Sequence, residues 1–377
     1  MRAYVYTDKS LDRYAGRFVW LSVNTEAAAN AAFLKQYPIP ALPTMLVLDA
    51  QGKVKTRYVG GATVPQLRKL LDDVASKPVA ESDKLLVEAD RLAADGKHAE
   101  AVKAYESALA KAEKSWKKIG RTAESMLFSM SLTDDNERCA TRAMELYPRV
   151  KGSASAANVA ATGLGCATSI DKTNDEANAK RAQLITTLEK YTREVFDDPK
   201  IVLSGDDRSG LYMSLIDARD AAKDEAGALE LKKQWAAFLE KVAGEAKTAE
   251  QRAVYDSHRL SAYLDLGTPE KAIPMLEQSQ RDFPGDYNPP ARLALAYKAM
   301  KLYDEALAAN QHALVKVYGP RKLSVLTTRA DIFMEKGDKE GARAAIAMAI
   351  EYAKSLPEGQ RSERRIASLE KRLESIQ

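Results

Sequence analysis

A short pattern of small residues recurs in the C-terminal part of the chain at nearly constant spacing. Ala272 and Ala306 are 34 residues apart, and Ala306 and Ala342 are 36 residues apart. Each alanine follows a turn-forming stretch and lies near the start of a segment with helical periodicity. Such a period indicates units that cannot bury an apolar face alone and must stack on one another. We therefore expect this part of the chain to be a stack of helix pairs.

The pattern resembles the tetratricopeptide repeat. Gly96, followed by Ala101, Tyr105 and Ala108, matches the turn and second helix of that repeat. Gly96 lies 171 residues before Gly267, close to five periods, so we expect the less regular middle to continue the stacking. The resemblance implies a curved solenoid whose inner surface binds a protein or peptide partner. Some members grip a terminal carboxylate with a Lys/Asn clamp, but the matching groove-facing positions here are Leu295 and Lys298, which do not support a clamp.

The net charge of +4 does not indicate a nucleic-acid partner. The whole excess lies in residues 1–74, and it forms no clustered basic patch of the kind that nucleic-acid-binding proteins present. The sequence also has no run of about 18 apolar residues that would predict a membrane helix. We therefore expect neither a nucleic-acid nor a membrane partner.

Residues 1–74 have a different character, because β-branched and aromatic runs are short and bounded by turn residues. Two runs separated by Asp49-Ala50-Gln51-Gly52 predict a β-hairpin. Leucines at helical spacing in residues 64–74 predict a helix that covers the sheet. The predicted strands are residues 18–23, 45–48 and 54–59, and the predicted helices are residues 25–36 and 64–74.

The order of these elements, with Leu42-Pro43-Thr44 before the hairpin and Gly60-Gly61 after it, resembles the C-terminal half of a thioredoxin fold. In that family the proline is a cis proline beside the active-site cysteines. The resemblance implies that Pro43 is cis and exposes the backbone of Leu42 to an extended substrate. Leu42, Pro43 and Thr44 are therefore the candidate peptide-binding residues.

The first strand, the first helix and the central strand that carries the Cys-x-x-Cys pair in this family have no counterpart. The predicted strand at residues 18–23 then lacks a parallel neighbour, and its backbone groups stay unpaired. We expect an incomplete domain that results from a start codon placed too late or from trimming, with a natural cysteine-free remnant as the alternative. The N-terminus lacks the features of a signal peptide, so the compartment stays open, with an exported or periplasmic location expected if the N-terminus is truncated.

The residues able to do chemistry are few. Cys139 and Cys166 are 27 positions apart and lie among small residues. Buried free thiols are the favoured interpretation, and a disulfide across adjacent helices is the alternative. His98, His258 and His312 lie in separate segments without the spacing of a metal site. The sequence therefore predicts no catalytic residue, no metal site and no cofactor.

These observations predict an α+β multi-domain chain. An incomplete thioredoxin-like domain spans residues 1–74, a linker spans 75–83, and an all-α tetratricopeptide-like solenoid spans 84–377. The leading hypothesis is a bacterial parent protein in thiol–disulfide exchange or redox homeostasis, of which this chain is a redox-inactive part that binds a protein partner. The alternative is a non-catalytic interaction scaffold with a vestigial thioredoxin-like segment.

Overall fold

The computed structural model describes Met1 and residues 3–75, 80–171 and 175–376. The contacts of the chain define two compact units. Unit 1 contains Met1–Ala15 and Ile39–Trp235, and unit 2 contains Gly16–Pro38 and Ala236–Gln377. These units follow contacts, whereas the boundaries at residues 74 and 84 follow sequence character, so those boundaries stay a prediction. Residues 76–79 of the predicted linker lie outside the described residues.

The described residues are mostly helical and include one two-stranded sheet. In chain order, the helices and strands are α1 Ala31–Gln36, β1 Thr44–Leu48, β2 Val54–Val59, α2 Val64–Ala75, α3 Glu81–Ala94, α4 His98–Lys111, α5 Ile119–Ser131, α6 Asn136–Val150, α7 Ala154–Thr168, α8 Asp175–Asp197, α9 Gly205–Ala221, α10 Glu225–Gly244, α11 Ala249–Ala253, α12 Asp256–Asp265, α13 Ala272–Asp282, α14 Asn288–Ala299, α15 Tyr303–Leu314, α16 Arg321–Lys336, α17 Lys339–Ser355 and α18 Glu363–Ser375.

Neighbouring helices pack as pairs joined by short turns. In unit 1 the pairs are α3 with α4, α5 with α6, and α7 with α8, followed by α9. In unit 2 they are α12 with α13, α14 with α15, and α16 with α17, and α18 packs on the last pair. Small side chains allow the close approach. A Cβ atom at Gly163 of α7, for example, would overlap Ala143 of α6 and press against Leu188 of α8. The predicted helical repeats, including an irregular middle, are confirmed.

The turn inside most pairs shares one backbone feature. A residue with positive φ stands five positions before a buried small residue of the second helix, where the chain reverses direction. Glycine adopts this conformation without strain, and other residues adopt it at a cost. The positive-φ residues are Gly96, Asp134, Lys223, Gly267, Lys301 and Gly337, and the small residues that follow are Ala101, Cys139, Ala228, Ala272, Ala306 and Ala342. The connection between α7 and α8 contains residues 172–174, which lie outside the described residues.

The predicted hairpin is present. β1 and β2 are antiparallel, with Thr44 opposite Val59, and Asp49 closes the loop by accepting a hydrogen bond from the Lys53 amide at 2.8 Å. The burial of β2 differs from the expected half-exposed alternation, because Thr56 and Arg57 are both buried. The cause is that β2 packs on α3 and α5, where Asp90 of α3 binds both the Thr56 hydroxyl and the Arg57 backbone amide.

The predicted strand at residues 18–23 is wrong. This segment forms no ladder within the described part of the chain, and Val19 and Leu21 are 89% and 81% exposed. A strand requires a neighbouring strand to pair its backbone groups, and in the described ranges this segment takes no part in the β1–β2 sheet. The predicted helix over residues 25–36 is shorter, because α1 begins at Ala31 after a 3₁₀ turn at Ala28–Asn30. The sheet thus contains only β1 and β2 among the described residues, and the thioredoxin-like architecture is not confirmed.

Candidate functional site: a polar ladder on the first helices of unit 1

The first helices of the pairs in unit 1 contact one another in series, α3 with α5, α5 with α7, and α7 with α9. We call the surface formed by these four helices the inner face. Asp90, Glu124 and Asn158 lie on α3, α5 and α7 at intervals of 34 residues. We call these three residues the polar ladder. Each follows a buried alanine in the sequence: Ala89, Ala123 and Ala157.

Asp90 is fully buried, and both of its carboxylate oxygens accept hydrogen bonds. Its Oδ2 atom accepts hydrogen bonds from Thr56 Oγ1 at 2.9 Å and from the Arg57 backbone amide at 3.2 Å. The same oxygen pairs with Arg121 Nη1 at 2.7 Å, and Oδ1 accepts from Tyr105 Oη at 2.8 Å. Strand β2 therefore occupies the first position of the polar ladder with a backbone amide and a hydroxyl group.

Two guanidinium groups, those of Arg121 and Arg57, lie near the Asp90 carboxylate. Burial alone would lower the pKa of Arg121, but the Asp90 carboxylate outweighs this effect and holds that pKa above its usual value. Burial, together with Asp90, raises the pKa of Tyr105. Burial lowers the pKa of Arg57, whose guanidinium lies 5.7 Å from the ring centre of Phe128. At this end of the inner face one buried carboxylate thus faces two cations, and the Nε and Nη2 atoms of Arg57 are buried without a hydrogen-bond partner among the described residues.

Glu124, the second residue of the polar ladder, has one carboxyl oxygen that lacks a hydrogen bond in the part of the chain that the structure describes. Its Oε1 atom is buried and has no hydrogen-bond partner within the described residues. Burial raises the pKa of Glu124, and the neighbouring polar groups of Ser155, Asn158 and Tyr58 oppose this effect only in part. A buried acceptor without a donor costs about 1–3 kcal/mol, which adds to the cost of burying this carboxyl.

Asn158, the third residue of the polar ladder, lines an open cavity of about 340 Å³ between α7 and α9. Asp207 lies in the same lining and forms a capping box with Ser204 at the start of α9. Burial raises the pKa of Asp207, although its hydrogen bonds with Ser204 oppose the effect. The cavity combines acceptors with small side chains that let a peptide backbone approach closely. Its lining residues are Ala157, Asn158, Ala161, Thr162, Asp206, Asp207, Gly210, Leu211 and Ser214.

The peptide-binding residues predicted from the thioredoxin resemblance lie at the start of β1. The Leu42–Pro43 peptide bond is cis, and both side chains are exposed. Thr44 Oγ1 donates to the Ala41 carbonyl at 2.7 Å, and the Gly60 amide donates to the Pro43 carbonyl at 2.8 Å. The hydrogen bonds of the polar ladder described above do not include these residues, and their role in binding stays a prediction.

Cys139 and Cys166 form a disulfide between α6 and α7. The favoured interpretation of two buried free thiols is therefore corrected. The two helices are direct neighbours, and their packing brings the two Cα atoms to 6.0 Å, a separation that a disulfide spans. The other residues considered for chemistry do not converge. Within the residues that the structure describes, no group of three or more His, Cys, Asp or Glu side chains is placed to hold a metal ion.

The histidines and the groove-facing lysine have ordinary neighbours. His98 Nδ1 lies 3.4 Å from Ser129 Oγ, and burial, followed by the charge of Arg57, lowers the pKa of His98. Lys298 Nζ pairs with Glu335 Oε1 at 2.7 Å and is thereby engaged within unit 2. Across the described ranges, no helix combines the length and apolar character needed to cross a bilayer.

Sequence reasoning missed the polar ladder. It followed the alanines of the second helices, such as Ala272 and Ala306, and did not compare the first helices of unit 1 with one another. The signal was present as an alanine followed by a polar residue at a strict 34-residue interval, ending at Asn158.

No family model matches the sequence, and no curated protein matches it. Solved structures with similar folds include a tetratricopeptide repeat protein from Parabacteroides merdae, with a TM-score of 0.46, 11% identity and coverage of 78% of this chain and 99% of that chain. The Cut9–Hcn1 hetero-tetramer of the APC/C has a TM-score of 0.27, 14% identity and coverage of 82% and 59%. Yeast Tom70 has a TM-score of 0.19, 10% identity and coverage of 78% and 95%. Because these TM-scores are below 0.5, the helical-repeat class rests on the helix pairs and turns of this chain itself.

Proposed function

We propose that this chain is a non-catalytic interaction scaffold that binds an extended peptide segment of a protein partner on the inner face of unit 1. The observation that carries the proposal is the contact of β2 with Asp90. An extended strand already occupies the first position of the polar ladder, where its Arg57 amide and Thr56 hydroxyl donate to the carboxylate.

The next two positions also present acceptors: the Glu124 carboxyl, beside which Tyr58 of β2 lies, and the Asn158 amide. Glu124 has a buried oxygen without a donor, and Asn158 faces the open cavity between α7 and α9. A partner segment with backbone amides or cationic side chains would supply the missing donors. A hydrogen bond to a neutral acceptor such as the Asn158 amide contributes about 0.5–1.5 kcal/mol.

A cross-linking experiment tests the site. A photoreactive phenylalanine analogue replaces Thr162, which lines the cavity, or Thr186, which is exposed on α8 and serves as the matched control. Peptides selected from a displayed library for binding to the whole chain are then irradiated with each variant. We expect adducts with the Thr162 variant and none with the Thr186 variant. Equal labelling of both positions contradicts the proposed site.

A second proposal concerns residues 18–74, whose hairpin and following helix α2 occur in the order that the thioredoxin resemblance implies. We propose that they belong to a thioredoxin-like domain of a parent protein in thiol–disulfide exchange. Both cysteines of this chain are joined in the disulfide, and thiol exchange requires an attacking thiolate. We therefore expect the chain not to reduce insulin disulfides above background, and turnover would contradict this. The disulfide also supports an oxidising compartment.

A further inference from the structure

Residues 24–27 lie against two turns of unit 2 that precede α16 and α18. We call residues 318–321 and 357–360 the docking loops. The segment is held in shape by its own contacts, because the Glu26 amide donates to Asn24 Oδ1 at 2.9 Å and Asn30 Nδ2 donates to the Asn24 carbonyl at 2.8 Å. The segment that contacts the docking loops is therefore a turn stabilised by its own hydrogen bonds.

The first docking loop binds two side chains of the segment. Asn24 Nδ2 donates to Tyr318 Oη at 2.8 Å. The Arg321 backbone amide donates to Glu26 Oε2 at 2.7 Å, and Arg321 Nε lies 3.6 Å from Glu26 Oε1. Arg321 is the first residue of α16, so the Glu26 carboxylate also lies at the positive end of that helix.

The second docking loop binds the backbone of the segment. Gln360 Nε2 donates to the Thr25 carbonyl at 2.7 Å and to the Ala27 carbonyl at 3.1 Å. Two carbonyl acceptors thus use both protons of one amide group. These contacts are independent of the side chains at positions 25 and 27.

Glycines in both docking loops let the segment approach closely. A Cβ atom at Gly359 would overlap the Ala31 carbonyl oxygen, and a Cβ atom at Gly319 would overlap the Glu26 carbonyl oxygen. The backbone of the segment fills the space that a side chain would take at Gly319, and the backbone of α1, which follows the segment, fills it at Gly359. The Lys35–Glu358 ion pair is solvent-exposed and contributes little.

We propose that the docking loops form a peptide-recognition site for an Asn-x-Glu turn, and that this chain fills the site with its own residues 24–27. Among the described contacts of residues 24–27 with the docking loops, those of Asn24 and Glu26 involve side chains and those of Thr25 and Ala27 involve backbone carbonyls. A separate segment with the same Asn and Glu residues can therefore replace residues 24–27. The site lies in unit 2 and is distinct from the polar ladder of unit 1.

The test uses a fluorescent peptide of residues 22–38 and the full chain. The double variant Asn24→Ala/Glu26→Ala removes the side chains that bind Tyr318 and Arg321. The chain's own segment then binds the docking loops more weakly and leaves them accessible to the peptide. We expect the peptide to bind this variant at least about tenfold more tightly than the wild-type chain, whose site is occupied. A peptide carrying Glu26→Ala is the matched control and should not bind. Equal binding of the two peptides, or no binding to the double variant, overturns the proposal.

A second measurement does not depend on the double variant. Gly359→Ala should displace the segment, whereas Gly285→Ala lies in an exposed turn where an added Cβ meets no atom within 4 Å. Hydrogen exchange of the amides of residues 24–36 should accelerate in the first variant and stay at the wild-type rate in the second. Unchanged exchange in Gly359→Ala contradicts the role of the docking loops.

Discussion

Asp90 Oδ2 lies 2.7 Å from Arg121 Nη1, and this pair joins α3 to α5 beneath strand β2. Because Asp90 is fully buried, its removal leaves the charges of Arg121 and Arg57 without their carboxylate. We expect Asp90→Ala to lower the free energy of unfolding by about 3–5 kcal/mol, measured by urea denaturation.

The control for this prediction is Asp95→Ala. Asp95 pairs with Arg91 at 2.9 Å on the surface of α3, where an exposed ion pair contributes at most about 1 kcal/mol. Equal losses in Asp90→Ala and Asp95→Ala would show that Asp90 is not a buried junction between the hairpin and the helices.

The shared turn conformation predicts opposite effects at two equivalent positions. Lys301 has φ 61° and Gly337 has φ 86°, and each lies five residues before a buried alanine. We expect Lys301→Gly to stabilise the chain by about 0.5–1 kcal/mol, because glycine relieves the strain of this conformation. Gly337→Ala should destabilise it by about 1 kcal/mol for the converse reason. Thermal unfolding of both variants measures the signs, and a loss of stability in Lys301→Gly would contradict the equivalence.

The same turns explain how much of the fold the sequence reveals. Where glycine holds the positive-φ position, as at Gly96 and Gly337, the repeat was visible in the sequence. Where Asp134 or Lys223 holds it, the turn lacks its usual residue, and the repeats of the middle were expected only from spacing. The hairpin and α2 follow from local patterns, because turn residues and periodicity determine them.

The features that could not be predicted from the sequence depend on contacts between residues far apart in the chain. The strand expected at residues 18–23 depends on a neighbour that local sequence cannot supply. The pairing of Cys139 with Cys166 depends on the packing of α6 against α7. The burial of Arg57 depends on Asp90, which is 33 residues away in the chain.

The disulfide should contribute measurably to stability. It closes a loop between residues 27 positions apart, and the chain-entropy model gives about 3–4 kcal/mol for a loop of this length. We expect the Cys139→Ala/Cys166→Ala variant to lose this amount in urea denaturation without reductant. In the presence of reductant, the wild-type chain should approach the stability of the variant. Equal stability of the two oxidised proteins would contradict a structural role of the disulfide.

The burial of Glu124 predicts that the free energy of unfolding depends on pH. Burial raises the pKa of Glu124, so the folded state favours the protonated carboxyl. This contribution to stability is fully present below the unfolded-state pKa and is lost as the pH rises through the folded-state pKa. The groups that face Glu124 are Tyr58 of β2, Arg121 of α5, and Ser155 and Asn158 of α7.

Glu124→Gln removes the cost of burying the charge. We therefore expect the unfolding free energy of this variant, relative to that of the wild-type chain, to be more favourable at pH 7 than at pH 4. Urea denaturation of both proteins at both pH values measures the difference. The same relative stability at pH 4 and pH 7 would show that the Glu124 carboxyl is not destabilised by burial.

The most direct test of the proposed inner-face site is the affinity of a selected peptide for two tryptophan variants. Gly210 lines the cavity between α7 and α9, and Gly165 is exposed on α7; a Cβ atom meets no atom within 4 Å at either glycine. The Cβ atom of either tryptophan is therefore accommodated, and Gly210→Trp places its ring in the cavity; circular dichroism of both variants checks that the fold is intact. We expect the dissociation constant measured by calorimetry to rise at least about tenfold in Gly210→Trp and to stay at the wild-type value in Gly165→Trp. An unchanged dissociation constant in Gly210→Trp would contradict binding at the inner face.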